Sequence, residues 1–430
     1  MDVKSWFKKR GLKFILQRGR SLLDGYGLTA ARSMRRVSVL MDLFDVFGCH
    51  PTFAVPGQVA DRHPTFILDL QARGAEIAVH SYHHIDLNFI PPEAASHELQ
   101  RAADCFEQLG LTAHGFRCPY LSCSSNLLQA LPPGMFAYSS NRAVRWSLPF
   151  TGDAANPDQH VFETINRFYA PLSAANISCL PWFESGLVEI PVSIPDDLQM
   201  HQGLGYTALG VSQAWIDILR RTHARGEIFT LMFHPELAAF CAEPLVALLE
   251  AARDLRPGVW VTRLQDVAAW WRQKSTLRPQ IVEETDTSIT LNLPAASGAL
   301  WVERGLDRPV AAFWDSGYTR LPAGLNYLPA NPRPFIGLPP DISPAIKNSL
   351  QNQGYLLDQT DSAPRCAIYF DSATLNTFTD ENAIVAKIER MPGPVIRLWP
   401  WPNGMRSALC ITGDLDALSL LDYAARLTPA

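Results

Sequence analysis

From Leu28 to about Lys274, strand-like apolar runs alternate with segments of helical spacing, and this confines the chain to an α/β architecture with a parallel core. Thr29 to Phe47 carries Val37, Leu40, Met41, Leu43, Phe44, Val46 and Phe47 at helical spacing and stops at Gly48. Thr52 to Val55 then reads as a short buried strand. A helix follows from Pro64 to Arg73, ended by Gly74, and a strand from Glu76 to Val79 delivers His80 at its C-terminal end. A helix over Pro92 to Leu109 leads to Gly115-Phe116 and then Arg117-Cys118-Pro119-Tyr120. Further on come a helix over Ala214 to Arg221, a strand over Ile228 to Phe233 delivering His234, a helix over Pro244 to Leu255, a strand over Val259 to Thr262 and a closing helix through Trp270 and Trp271. Functional side chains at strand C-termini are characteristic of barrel-like α/β enzymes.

Beyond Lys274 the texture changes. Residues 276 to about 340 are rich in Pro, Gly, Thr and Asn, with β-like runs at Ser288 to Leu293 and Val310 to Phe313, and 344 to 399 read helix, strand, strand, helix, strand. The stretch reads as an inserted α+β accessory module. The earlier style then returns: Ala408-Leu409-Cys410-Ile411-Thr412 is a buried strand running into Gly413-Asp414-Leu415-Asp416, followed by an apolar helix from Leu418 to Leu427. Two carboxylates at the end of an apolar strand are costly to bury unless something uses them.

A length of 430 residues exceeds one ordinary domain. The expected division is a basic N-terminal segment (1–27), a main catalytic domain (28–275), the accessory module (276–395), and a C-terminal strand and helix (396–430). An apolar share of 47% and a charged share of 18% are those of a folded chain. The formal net charge of −5 argues against nucleic acid as a partner, because a phosphate backbone is held by excess Lys and Arg. Eight scattered cysteines without a Cys-x-x-Cys pair are expected to be buried free thiols. No signal-peptide pattern or membrane-length apolar run is present, so the expected compartment is the cytoplasm. Residues 3–23 mix Trp6, Phe7 and Phe14 with Lys8, Lys9, Arg10 and Arg18, a composition suited either to docking on the chain's own surface or to peripheral contact with an anionic membrane at its inner face.

The chemistry concentrates in a few places. His80-Ser81-Tyr82-His83-His84 sets two imidazoles four residues apart, around one turn, able to share one divalent cation, with Asp86 as a candidate acceptor for a ligand imidazole. Arg117 can orient a carboxylate through a bidentate contact, beside a backbone fixed by Pro119. His234, followed by Pro235, offers a general acid.

Together these residues resemble the polysaccharide deacetylase family, the NodB-homology or carbohydrate esterase family 4 enzymes, over roughly residues 28 to 274. Pro51-Thr52-Phe53-Ala54-Val55-Pro56-Gly57 is similar to that family's second strand, His80-Ser81 with His84 to its His-Ser/Thr-x-x-His metal ligands, Arg117, Pro119 and Tyr120 to its Arg-x-Pro-Tyr motif, and Leu231 with His234 to its last motif. The family's opening Asp pair is missing ahead of Thr52, where only Asp24 stands. Ile411-Thr412-Gly413-Asp414-Leu415-Asp416 resembles that motif at the far end of the sequence. Either the fold is circularly permuted, with the C-terminal strand completing the domain, or the chain is a truncated tandem whose second domain begins near Arg406. Permutation is favoured, because the short stretch after Asp416 could not fold alone and chain termini often lie close together.

The resemblance implies a NodB-like distorted (β/α) barrel, Zn²⁺ or another divalent cation held by Asp416, His80 and His84, Asp414 as base (its role exchangeable with that of Asp416), Arg117 as its positioner, backbone near Tyr120 at the oxyanion, and His234 as the acid. The implied reaction is hydrolysis of N-acetyl groups on amino sugars of a polysaccharide or its precursor. Tyr82, Pro119 and Trp146 are candidate substrate contacts, with Trp182 and Phe183 as further aromatic candidates. Two other activities share these residues or this fold: an amidohydrolase or deformylase on a small or lipid-linked substrate, and a catalytically inert carbohydrate-binding or assembly protein.

Overall fold

The computed structural model describes residues 25–148, 169–306, 317–378 and 380–426. The basic segment 3–23, the β-like run 310–313 and residue 427 of the last helix lie outside them.

A nine-stranded sheet forms the centre of an α/β half-barrel. Its order is Ile228–Phe233, Ser407–Asp414, Thr52–Val55, Glu76–Val79, Gly115–Phe116, Tyr138–Ser139, Leu187–Glu189 and Trp182–Glu184, with Val259–Val261 also paired to Ser407–Asp414. Every pairing in it is parallel except that of Trp182–Glu184 with Leu187–Glu189. The C-terminal strand is therefore interior: Ala408 to Gly413 register with Ile228 to Phe233 on one edge, and Thr412 to Asp414 with Thr52 to Ala54 on the other. Leu409, Cys410 and Ile411 are buried, as an apolar strand covered on both faces by helices requires.

The flanking helices follow from their sequences. Ala31–Phe47 buries Val37, Leu40, Met41 and Phe44 on one face and ends at Gly48, whose φ of 60° lets its N–H reach back to Phe44 and Asp45 carbonyls. The helix expected from Pro244 instead spans Ala238–Asp254 and runs through Pro244. Its buried stripe of Ala238, Cys241, Leu245 and Leu248 outweighs the local preference of proline for a first helical turn. The helix expected over 214–221 extends to Ala208–Arg225, opened by the Thr207 hydroxyl accepting from the Gly210 N–H and closed by Gly226. All eight cysteines are free, and all but the half-buried Cys105 are buried.

The described residues of 280–398 build three small sheets. Val395–Leu398 pairs with Trp301–Arg304, so by its hydrogen bonds this strand belongs with the accessory strands and not with the C-terminal strand and helix. The accessory part packs through Val302, Tyr318 and Trp399 onto Trp270, Trp271 and Trp401 beside the main sheet.

The interior place of Ser407–Asp414 makes a direct prediction. Ile411, 1% exposed, is part of the main hydrophobic core, so Ile411→Ala should lower stability by about 2–5 kcal/mol, the usual range for emptying such a position. Urea unfolding followed by tryptophan fluorescence checks this. An unchanged main transition would mean that the strand is not part of the sheet.

Candidate active site

Because the strands are parallel, their C-terminal ends lie along one edge, and His80, Arg117, Ser140, His234 and Asp414 all stand there, each at the end of its strand or just past it. The histidine turn is not helical. Ser81 and His84 both have left-handed φ, 56° and 55°, and the Ser81 hydroxyl accepts the His84 N–H at 3.0 Å, which fixes the turn. His80 Nδ1 donates to the Arg117 carbonyl at 2.7 Å, leaving Nε2 with its lone pair facing the site. The acceptor expected at Asp86 is not used in this way. Its carboxylate caps Asn88 N instead, accepting that N–H at 3.1 Å.

The carboxylates from the far end of the chain arrive at these imidazoles. Asp416 Oδ1 lies 2.9 Å from His84 Nε2 and 3.4 Å from His80 Nε2, and Asp414 Oδ2 lies 4.0 Å from His80 Nε2. The other Asp414 oxygen accepts from Arg117 Nη1 at 2.7 Å. Arg117, 2% exposed, is itself fixed by the Thr412 hydroxyl at 2.9 Å and by the carbonyl and hydroxyl of Ser140 at 3.2 Å each. The two acidic side chains thus have different neighbours: Asp414 is bound to a guanidinium, while Asp416 faces two imidazoles.

Whether the second set fits a divalent cation can be tested on its own atoms. One donor atom each from His80, His84 and Asp416 lie within 4.8 Å of one another. Asp416 Oδ1 is buried and without a hydrogen bond of proper geometry, and so is His84 Nδ1. An N, N, O set with an orphaned carboxylate oxygen between two imidazole nitrogens fits a zinc-like ion. Burial opposes the charge on Asp416, but His84 and Arg426 outweigh it and hold this carboxyl well below its usual range. Burial also pulls His84 down to about 4, which leaves its ring unprotonated at neutral pH.

His234 belongs to a second group. Its Nδ1 donates to Asp197 Oδ1 and its backbone N–H to Asp197 Oδ2, both at 2.8 Å. Burial would lower the His234 pKa, yet the charge and hydrogen bond of Asp197, with Asp196 and Asp416 behind, raise it well above the ordinary value. Asp196, Asp197 and His234 are also close enough to surround an ion. However, both Asp197 oxygens already accept N–H groups and Asp196 accepts Gln199 N, so the group is arranged to hold a protonated imidazole. Asp197 escaped the sequence reading, although Ile194-Pro195-Asp196-Asp197 shows the same sign as the 411–416 run, an acidic pair closing an apolar strand. Arg426 was missed as well, since no local pattern marks it.

Of the three expected substrate contacts, Trp146 and Pro119 are buried and Tyr82 is half-buried. Trp146 is fully buried, its indole N–H donating to Ser193, with the Arg221 and Arg225 guanidiniums over its ring. Pro119 is buried beneath the Tyr120 turn. The ring of Tyr82 lies against the Gly57 backbone, so close that a Cβ there would meet it at 2.5 Å, and carries Arg101 at 3.8 Å from its centroid. Trp146 and Pro119 are thus taken into the core, while Tyr82 packs against it from outside. Tyr120 does reach the rim, 42% exposed with φ 61° and its ring edge-on to His84. Trp182 and Phe183 line a different cavity of about 760 Å³ beside Lys274 and Asn352, to which none of the site residues contributes.

One edge of the α/β half-barrel thus gathers a His-His-Asp group able to hold a divalent cation, an arginine-bound carboxylate and a carboxylate-bound histidine. Residues 25–132 match the family model described as polysaccharide deacetylase, a span that includes the histidine motif and the Arg-x-Pro-Tyr run. No curated protein matches this chain. Among solved structures, a Mycobacterium smegmatis protein assigned as a polysaccharide deacetylase is 20% identical at a TM-score of 0.43, covering 59% of this chain and 81% of that one. The peptidoglycan deacetylase PdaC of Bacillus subtilis is 11% identical at 0.35, covering 57% and 87%, and a family 4 carbohydrate esterase of Streptomyces lividans, in complex with acetate, is 15% identical at 0.30, covering 52% and 81%.

The His234–Asp197 pair has a pH signature. A folded-state pKa raised above the unfolded value of about 6.5 adds stability that is fully present below that pH and is lost as pH rises through the raised folded value. Asp197→Asn should therefore destabilise most near pH 6 and progressively less toward alkaline pH, and should lower the His234 pKa by at least about one unit. Histidine NMR titration and urea melts at several pH values read both. A destabilisation independent of pH would remove the charge-based account.

Proposed function

We propose that this chain is a divalent-cation-dependent hydrolase of N-acetyl groups on amino sugars, with the C-terminal strand supplying the acidic half of the site in circularly permuted order. The observation that carries the reading is the meeting of Asp416 with His80 and His84 while Arg117 holds Asp414 beside them. When bound, the cation would polarise the acyl carbonyl and ease ionisation of an attacking water. His80, His84 and Asp416 would hold it.

The protein's own groups account for the proton movements. Arg117 holds Asp414 in one orientation, with Oδ2 turned toward the His80 side of the site, where it can take a proton from water. Backbone beside the left-handed Tyr120, at the rim of the cation set, supports the developing oxyanion. His234, kept protonated by Asp197, gives its proton to the departing amine. The leaving group is thereby released as a neutral amine and the acyl group as acetate. The family match over residues 25–132 supports a carbohydrate as the acyl carrier.

Acetate release from N-acetylglucosamine oligomers by metal-loaded protein tests this. His80→Ala and Asp416→Ala should lose bound zinc and at least about 100-fold in rate, while Asp414→Asn should keep the zinc and lose a similar factor, the usual reach of general base catalysis. Undiminished rates in all three variants would refute the proposal. Formate release from N-formyl analogues at a higher kcat/KM would move the reading to a deformylase.

A further inference from the structure

Arg426 lies just past the helix Leu420–Ala425, ten residues after Asp416, and its side chain turns back into the site, only 9% exposed. Its Nη1 is 3.3 Å from Asp416 Oδ2, and its Nη2 is 3.3 Å from His84 Nε2 and 3.5 Å from the Tyr120 hydroxyl. A guanidinium can only donate, so His84 Nε2 faces it with a lone pair, the same lone pair a cation would take. We propose that Arg426 is a resident counter-cation of the His80–His84–Asp416 set and lowers the affinity of that set for a divalent ion. The inference rests on the metal reading above and deepens it.

The charges around the site support this. Asp414 is neutralised by Arg117 at 2.7 Å. Asp416 is the acidic member of the ligand set, and Arg426 neutralises it. Asp414, Asp416, Arg117 and Arg426 together sum to zero, so a divalent ion enters a group already balanced in charge. Without Arg426 the same group would carry one net negative charge, and like-charge repulsion at a few ångströms inside a protein is strong. The arrangement also offers the guanidinium a second place. Tyr423 lies with its ring centroid 5.0 Å from Arg426 Cζ, so a short swing away from Asp416 keeps a cation–π contact. Entry of the ion and withdrawal of Arg426 are thus coupled.

Zinc affinity of purified apoprotein, measured by competition against a chromophoric chelator, tests the inference without reference to turnover. Arg426→Met keeps the aliphatic stem and removes the charge. Arg426→Gln does so with a polar end, and serves if the methionine variant does not fold. Each should bind zinc at least about tenfold more tightly than the wild type, and Arg426→Lys should stay within about threefold of it. The rise in Tm on adding saturating zinc should be larger for Arg426→Met than for the wild type, because the apo variant has lost its counter-cation. Equal or weaker zinc binding by the folded Met and Gln variants, with wild-type binding intact and lost in His80→Ala, would overturn the role of Arg426 alone. Absence of zinc binding in the wild type and in both variants would overturn the metal reading, and this inference with it.

Discussion

Ser407–Asp414 hydrogen-bonds to a strand on each edge, and the rest of the structure is arranged around those two ladders. Without it, Thr52–Val55 and Ile228–Phe233 would both present open edges of buried apolar strand, with backbone donors and acceptors unpaired in the core. The same eight residues carry Thr412 to Arg117 and Asp414 to the edge where His80 and His234 stand. Sheet completion and site completion are therefore one event. A substitution that loosens the strand should weaken both, and the energetic reason is the cost of unpaired buried backbone polar groups.

The site divides its charges by neighbour. Arg117 is buried and held by Thr412 and Ser140, so it presents a fixed cation to Asp414. Asp197 does the converse for His234, presenting a fixed anion to a ring that burial alone would leave neutral. Two carboxylates on one strand end thereby acquire different environments, one ion-paired and one facing imidazoles, and two buried histidine environments acquire opposite proton affinities, His84 low and His234 high. Such pairs, pushed apart by their surroundings, are how one fold supplies an acid and a base at a single pH.

Much of this was legible in the sequence. The strands Thr52–Val55, Glu76–Val79 and Ile228–Phe233 have the bounds their apolar runs suggest, because a short buried strand flanked by Gly, Pro or a charged residue leaves little choice of register. His80, His84, Arg117, His234 and the 414–416 carboxylates were visible as polar residues set where an apolar strand stops. That signal is local, since burying such groups without a use for them is costly. The fate of Trp146, Tyr82 and Pro119 was not visible, because an aromatic ring serves a core and a sugar face equally well and only its neighbours decide.

The sequence by itself determined the elements, the parallel α/β class and the side chains that end its strands, because these depend on local periodicity and on the cost of burying polar groups. The tertiary structure alone decided which strand lies beside which. It set Asp416 against His84 across more than 300 residues, chose Asp197 as the partner of His234, and brought Arg426 onto the ligand set. Those choices depend on distances of a few ångströms between segments remote in the chain, and no pattern within either segment encodes such a distance.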